Sequence, residues 1–333
     1  MSITVVVTCF NEERFIEQAL LSVLNQSRLD LVDKIFVVDD ESTDCSLEII
    51  REIQSLDDRV EVIWQKNAGL AVARNNALQK VTSDWVCFLD GDDIWPVDKI
   101  EKQVMQVDLD PEVSLVYTDS YRFGNEERYI RARTLPQSGD GALLDYFCND
   151  APILSSVMVR TSIFSKVGVF DPELRVAQDT EMWTRAVSIC KIAHVKEALL
   201  FRRMHSSSLG YNFEKKSQYL DLVTDKIVHQ FPQLEPYRYM KDAMVRFEYA
   251  RRSIHSKSRV MALKQVLAGL RINPRCIHGY AVFLIAIVPF SDALLRFSSK
   301  VRMGLSGAGQ AARIPVPHYG REATRKKLKE GEV

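Results

Sequence analysis

The chain has 333 residues, with 44 Lys and Arg balancing 44 Asp and Glu and 46% hydrophobic residues. That is enough for one large α/β domain with a smaller appendage, and a formal charge of zero argues against a nucleic-acid binder working through bulk charge. The six cysteines (Cys9, Cys45, Cys87, Cys148, Cys190, Cys276) lack a pairing or metal-type spacing; several sit in apolar runs and read as buried, reduced thiols of a cytosolic protein.

No secretory signal is visible, because the chain enters a strand almost at once, over residues 3–7. Residues 12–24 carry Phe15, Ile16, Ala19, Leu20, Val23 and Leu24 at helical spacing. A second strand over 34–38 runs into Asp39-Asp40-Glu41-Ser42-Thr43-Asp44, a capping run for the next helix. A third strand over 60–64, a helix over 69–81 and a fourth strand over 85–89 follow. This alternation predicts a mostly parallel sheet covered on both faces.

The fourth strand, Trp85-Val86-Cys87-Phe88-Leu89, stops at Asp90-Gly91-Asp92-Asp93. An apolar run of this kind is a buried strand, and its C-terminal tip is where ligands bind in open α/β sheets. Clustered carboxylates repel unless a cation joins them. A hard divalent ion, Mn²⁺ or Mg²⁺, suits such oxygen ligands and brings phosphorylated substrates with it. The plain alternative is a solvated acidic turn.

Beyond the cluster, residues 113–118 and 156–159 read as strands, 125–141 as a long polar loop of the kind that forms lids or acceptor-binding segments, 180–189 as a helix and 198–204 as a last strand. From about residue 214 the spacing turns helical over 218–231, 237–256 and 259–272, punctuated by Pro232, Pro236 and Pro274. The apolar run 280–288 is short of the roughly 20 residues a membrane span needs. Arg271, Arg275, Arg296, Lys300 and Arg302 flank it, so it reads either as a helix lying in a membrane interface or as a buried helix. Residues from 306 on, rich in Gly, Pro and charge, read as a basic disordered tail. The division expected is therefore 1–213, 214–305 and 306–333.

Four motifs occur in order: Val7-Thr8-Cys9-Phe10-Asn11-Glu12 after strand one, Val37-Val38-Asp39-Asp40-Glu41-Ser42-Thr43-Asp44 after strand two, Asn67-Ala68-Gly69-Leu70-Ala71-Val72-Ala73-Arg74-Asn75 opening a helix, and the acidic cluster. Each is weak alone. Together they resemble the family 2 inverting glycosyltransferases, which use nucleotide sugars and have the GT-A fold, a Rossmann-like mixed or parallel sheet flanked by helices. The resemblance covers roughly the first two thirds of the chain and leaves an α-helical C-terminal region.

The resemblance implies roles. Thr8, Phe10 and Glu12 belong to the donor site, with Thr8 and Phe10 lining a slot for a flat base. Asp40 is expected to accept the imide N–H of uracil or thymine, which favours UDP- or dTDP-linked donors; its alternative is helix capping, the reading kept for Asp44. The family commonly has Pro at Thr8 and Tyr at Phe10. Arg74 is expected to reach the nucleotide, or else to make a surface salt bridge. Asp90 approaches the ribose and Asp92 binds Mn²⁺ or Mg²⁺; Asp93 bonds the sugar or supports the loop. Asp179, in Gln178-Asp179-Thr180-Glu181-Met182-Trp183-Thr184-Arg185, matches the catalytic base, with Gln178 where the family has Glu; its alternative is an N-cap. Trp183 reads as core rather than as a sugar platform. His205, in Phe201-Arg202-Arg203-Met204-His205, is expected to donate to phosphate or ligate the metal, against a bland loop histidine. Ser155, Ser156 and Gly168-Val169-Phe170-Asp171 match the acceptor region.

The function implied is metal-dependent transfer of a sugar to a hydroxyl of a glycan or lipid-linked acceptor, at the cytoplasmic face of the cell membrane, with peripheral contact through the C-terminal region and no nucleic-acid partner. Without multiple spans or a Gln-x-x-Arg-Trp signature, the distributive mode is expected. A nucleotidyltransferase is the alternative enzyme, disfavoured by the absence of glycine and basic grip in residues 8–13; a non-catalytic scaffold is the third reading.

Overall fold

The computed structural model describes residues 1–125, 127–149, 152–205, 213–255, 258–287 and 314–330. The first four strands follow the predicted alternation: β1 (Ile3–Cys9), β2 (Val32–Asp39), β3 (Val60–Trp64) and β4 (Trp85–Asp90), with α1 (Ile16–Leu24), α2 (Ser46–Gln54) and α3 (Leu70–Leu78) between them. Every residue of β1 is buried, because β2 and β4 pair with it on either side and helices cover its faces. These four strands are mutually parallel.

After α4 (Lys99–Leu109) the sheet changes direction. β5 (Val113–Gly124) and β7 (Met158–Arg160) are antiparallel, and β7 is antiparallel to β4. β8 (Lys191–Met204) then runs parallel to β5. The strand order is β3-β2-β1-β4-β7-β5-β6, where β6 is the short strand Arg128–Ile130, with β8 on the free side of β5. Two reversals restore the original sense, so β4, β5 and β8 all end at one edge of the sheet, the edge reached by β1 and β2.

The polar stretch 125–141 is not wholly a loop. It contains β6 (Arg128–Ile130), paired with β5, and the first turn of α5 (Gly139–Asn149). Buried Asp119 holds it: Asp119 accepts from the Tyr129 hydroxyl at 2.6 Å, from the Ala132 backbone N–H at 2.7 Å and faces His194 Nε2 at 2.9 Å. The last strand starts at Lys191 rather than 198, since its polar residues pair with β5 instead of facing a core. α6 (Ser162–Val167) and α7 (Gln178–Val187) lie before it. Cys9, Cys87 and Cys190 are buried; Cys45 is exposed, and no disulfide joins any of the six.

The chain divides into two compact units. One comprises Met1–Tyr146, Asp150–Ser206 and Ile314–Val333; the other comprises Phe147–Asn149 and Ser207–Arg313. The second contains α8 (Phe213–Gln230), α9 (Arg238–His255), α10 (Arg259–Ile272) and α11 (Ile277–Ile287). α11 carries the apolar run. Its Val282 and Ala286 are buried with Ala250, Ile254, Ala262 and Val266, whereas Tyr280 and Leu284, one turn apart, are exposed. Gly269 and Gly279 make room for the Phe247 ring, which a Cβ at either would meet within 2.6 Å. Among the described residues no helix is long and apolar enough to cross a membrane. Val288, Arg296, Lys300, Arg302 and residues 306–313 lie outside the described residues.

The expected disordered tail is contradicted over residues 314–330. A helix, Arg321–Glu330, returns to the sheet unit. The Tyr319 hydroxyl donates to the Trp95 carbonyl at 2.8 Å, Gln18 exchanges two hydrogen bonds with the Tyr319 backbone, and Arg321 pairs with Glu17 and Glu52. These partners lie 224 to 304 positions away, beyond what local composition reports. A chain ending at residue 313 is expected to unfold at lower urea than the full chain, and Tyr319→Phe alone to lose about 1 kcal/mol. An unchanged midpoint in both would show that this segment does not hold the sheet unit together.

Candidate active site

The loops after β1 and β2 are laced to each other. Asp40 donates its backbone N–H to the Cys9 carbonyl at 2.9 Å. Asn11, in the left-handed region (φ 56°), accepts Thr43 N–H on Oδ1 at 2.7 Å and donates its own N–H to Ser42 Oγ. Glu12 N–H bonds Ser46 Oγ, and Asp44 accepts the N–H groups of Glu13 and Ser46, the second of these at the start of α2. Phe10 stands 44% exposed on the rim of this double loop. Thr8 is buried beneath it; its carbonyl accepts Gly91 N–H, and its Oγ1 has no partner among the described residues.

Asp40 has a task that the motif does not reveal. It is 2% exposed; Oδ1 accepts from Gln65 Nε2 at 2.7 Å and Ala68 N–H at 2.9 Å, and Oδ2 accepts from Gly69 N–H at 2.9 Å. Asn67 Nδ2 bonds its carbonyl. The carboxylate therefore fastens the turn that opens α3, with acceptor capacity left on Oδ2 alone. Gly69 permits that turn: its φ is 90°, and a Cβ would lie 2.9 Å from the Arg175 guanidinium.

At the tip of β4 four carboxyl groups crowd together. Asp93 is buried and takes Arg203 N–H on Oδ1 at 3.0 Å. Burial first, and then the charges of Asp92 and Asp90, push its carboxyl well above the usual range. Glu12 lies against Gly91 and is raised likewise, by burial and then by Asp92, Asp90 and Asp93; its Oε2 is buried without a partner among the described residues. Burial and Asp90 raise Asp92 as well, while His205 and Arg202 pull it back. The Arg203 guanidinium bonds the Asp92 carbonyl and lies between the Phe15 and Phe123 rings. Asp93 Oδ1 thus ties the acid loop to β8.

Arg74 makes no surface salt bridge. It is 2% exposed, donates Nη2 to Asp90 Oδ1 at 2.8 Å and lies over the Phe170 ring. Ser155, which the sequence signals only as part of the acceptor region, accepts Asp90 N–H on its hydroxyl and Trp95 Nε1–H on its carbonyl. Gly168-Val169-Phe170-Asp171 is a joint: Asn75 exchanges two hydrogen bonds with the Phe170 backbone, and Arg185 donates to the Val167 and Val169 carbonyls while paired to Glu181.

His205 follows β8 directly and meets Asp92, Nε2 to Oδ2, at 2.8 Å, with its ring against Phe15. Asp92 Oδ2 and His205 Nε2 share a hydrogen bond amid unbalanced negative charge, and a carboxylate and an imidazole are both ligand types that a divalent ion accepts. Among the described residues no third His, Cys, Asp or Glu completes a cage; an ion here would take its other ligands from substrate phosphate and water, as Mg²⁺ commonly does.

Asp179 is the second residue of α7 and half-buried. Position 177 caps the helix without a side-chain bond, and Asp179 Oδ1 accepts only the N–H of Thr180, at 2.9 Å. The N-cap alternative therefore does not apply. Trp183 is core, edge-on to Phe88 and Phe170.

This is a mostly parallel α/β sheet flanked by helices, with its charged side chains gathered at the carboxyl ends of the strands. Residues 4–167 match the model for glycosyl transferase family 2, and the chain belongs to that family and is a transferase. TuaG, a Bacillus subtilis glycosyltransferase provisionally named for teichuronic acid biosynthesis, is 26% identical over 263 residues, 77% of this chain and 97% of its own. Glycosyltransferase GlyA of Streptococcus pneumoniae is 36% identical over 119 residues, 35% of this chain and 17% of its own. Among solved structures, S. aureus TarS 1-349 shares the fold with a TM-score of 0.58 at 18% identity, over 99% of this chain and 92% of that one. The Pyrobaculum calidifontis mannosyltransferase PcManGT, solved with GDP-Man and Mn²⁺, shares it at 0.55 and 18%, over 90% and 80%. Of the three functional readings, the glycosyltransferase stands.

Gly91 tests the packing beneath the acids. A Cβ there would lie 2.0 Å from Glu12 Oε2 and 2.9 Å from the Thr8 carbonyl. Gly91→Ala is expected to cost about 1–3 kcal/mol by overpacking; an unchanged urea midpoint would show that Glu12 has another place to go.

Proposed function

We propose that this enzyme moves a sugar from a UDP- or dTDP-linked donor to a hydroxyl of a glycan or lipid-linked acceptor, with inversion at the anomeric carbon. The observation that carries the reading is the convergence of Asp92 and His205 at 2.8 Å, just beyond the tip of β4. TarS has been solved with UDP-GlcNAc and PcManGT with GDP-Man and Mn²⁺, which supports a nucleotide-sugar donor here. Phe10 offers a ring face to the base, and Asp40 Oδ2 keeps acceptor capacity for an imide N–H.

In this reading the acceptor oxygen attacks the anomeric carbon, the bond to the diphosphate breaks, and its electron pair leaves with the nucleotide. Asp179 takes the proton from the attacking hydroxyl; it is not the N-cap of α7, and its Oδ1 accepts the Thr180 N–H of the first turn. Asp92 and His205 would hold Mn²⁺ or Mg²⁺, which when bound would neutralise charge gathering on the departing diphosphate. Arg74 keeps Asp90 oriented toward the ribose.

Asp179→Asn is expected to lower kcat by about 10²–10⁴-fold with the Kd for UDP within twofold of wild type, by isothermal titration. Asp92→Ala is expected to abolish the Mn²⁺ dependence of UDP binding. Loss of UDP affinity in the first variant, or an intact Mn²⁺ response in the second, would reverse these assignments; a set of UDP, dTDP and GDP sugars reads the base preference in the same assay.

We also place the enzyme at the cytoplasmic face of the cell membrane, with Tyr280 and Leu284 of α11, the latter 55% exposed, as apolar contacts and Arg271 and Arg275 as neighbouring charges. Vesicles containing anionic lipid should pull down the full chain, and Leu284→Glu should weaken that retention. Equal recovery with and without vesicles would remove the membrane from the account.

A further inference from the structure

The half of the sheet that follows β4 carries a charge pattern the donor reading does not use. Arg128 of β6 is the register partner of Arg122 of β5, and Arg122 is the register partner of Arg202 of β8. Register partners on adjacent strands point to the same face, with strands about 4.8 Å apart. Three arginine side chains therefore leave one face of the sheet from one row across three strands. Like charges directly opposite each other destabilise a sheet, so such a row is not a product of strand pairing. All three residues are half-buried.

The row is placed for chemistry. Arg122 and Arg202 each lie two residues before the end of their strand, at the sheet edge where β4 ends in Asp90 and where His205 follows β8. Arg202 is close enough for its charge to act on Asp92 and Asp93. Its neighbour Arg203 points to the other face and is occupied with the acid loop and two aromatic rings. Arg122, Arg128 and Glu127 each already interact within the chain. A guanidinium offers five donors in a fork that matches phosphate oxygens.

We propose that Arg122, Arg128 and Arg202 form the anion-reading part of the acceptor site, binding a phosphate ester that the acceptor carries near the hydroxyl to be glycosylated. The proposal rests on the reading of the β4 tip as the donor diphosphate site. The phosphate can belong to a phosphodiester glycan or to the pyrophosphate of a lipid carrier, and the two need different probes.

The test is calorimetric titration of the full chain, first with UDP and Mn²⁺, then, on the UDP-saturated protein, with a short oligo(glycerol phosphate), with decyl pyrophosphate and with an uncharged oligo(ethylene glycol) of equal length. One phosphate probe is expected to bind, more weakly as salt rises, and the uncharged one is not. Arg122→Gln with Arg128→Gln should weaken the phosphate probe at least tenfold and leave UDP affinity within twofold; Arg128→Lys should keep most of the binding, and thermal melts report whether each variant folds. A parallel fall in UDP affinity would assign the row to the donor and overturn the proposal. So would equal binding of the uncharged probe, failure of both phosphate probes, or phosphate binding indifferent to the double substitution. If wild type fails to bind UDP, the donor reading falls by itself, and the same probes titrated into the free protein still decide the row.

Discussion

The arrangement depends on how much negative charge can be kept at the end of one buried strand. Glu12, Asp90, Asp92 and Asp93 meet where β4 leaves the core, and burial there weakens the screening that would let four carboxylates coexist in water. The three aspartates are each met by a cation or a donor from another element: Arg74 from α3 at Asp90, the Arg203 N–H at Asp93, the His205 ring at Asp92. Among the described residues Glu12 Oε2 has no partner. Removing one member of a buried pair strands the other, so the set is held as a unit. The imbalance that survives is what a divalent cation would relieve.

That requirement explains the second half of the sheet. A strand parallel to β4 and long enough to deliver Arg203 and His205 to the acids must end at the same edge. The β4–β7–β5 reversals and the parallel β5–β8 pair provide it, with Ile94 bridging Phe201 just before the arginines. The first half, β1 to β4, supplies loops; the other half supplies side chains at strand ends. The row Arg128, Arg122, Arg202 lies wholly on that second half.

The parallel half of the sheet was legible from sequence because its signals are local: apolar runs of strand length, helical periods between them, and acids where strands stop. Roles inside the site were less so. Asp40 stands in a motif, but the groups that occupy it, Gln65, Ala68 and Gly69, lie 25 to 29 positions on. Ser155 reaches Asp90 across 65 positions and Tyr319 reaches Trp95 across 224. α4 and α5 begin among polar residues whose apolar faces are too short to stand out, and the tail looked disordered because its stabilising partners are at the other end of the chain.

Backbone strain is distributed in a way that supports the same location for function. Among the described residues three that are not glycine have positive φ: Asn11, Glu41 and Ala177. Each such residue costs about 1 kcal/mol or more, most for Ala, which lacks a side-chain hydrogen bond to compensate. Asn11 lies in the loop after β1, Glu41 in the loop after β2, and Ala177 caps the helix that carries Asp179. None is needed to continue a strand or helix of the core. Asn11 is held by Ser42 and Thr43, and Glu41 by the Asn67 N–H. Among the described residues the fold tolerates non-glycine strain at these loops alone, fixing their geometry against local preference, and the residues whose geometry they fix are the rim of the β1–β2 double loop and Asp179.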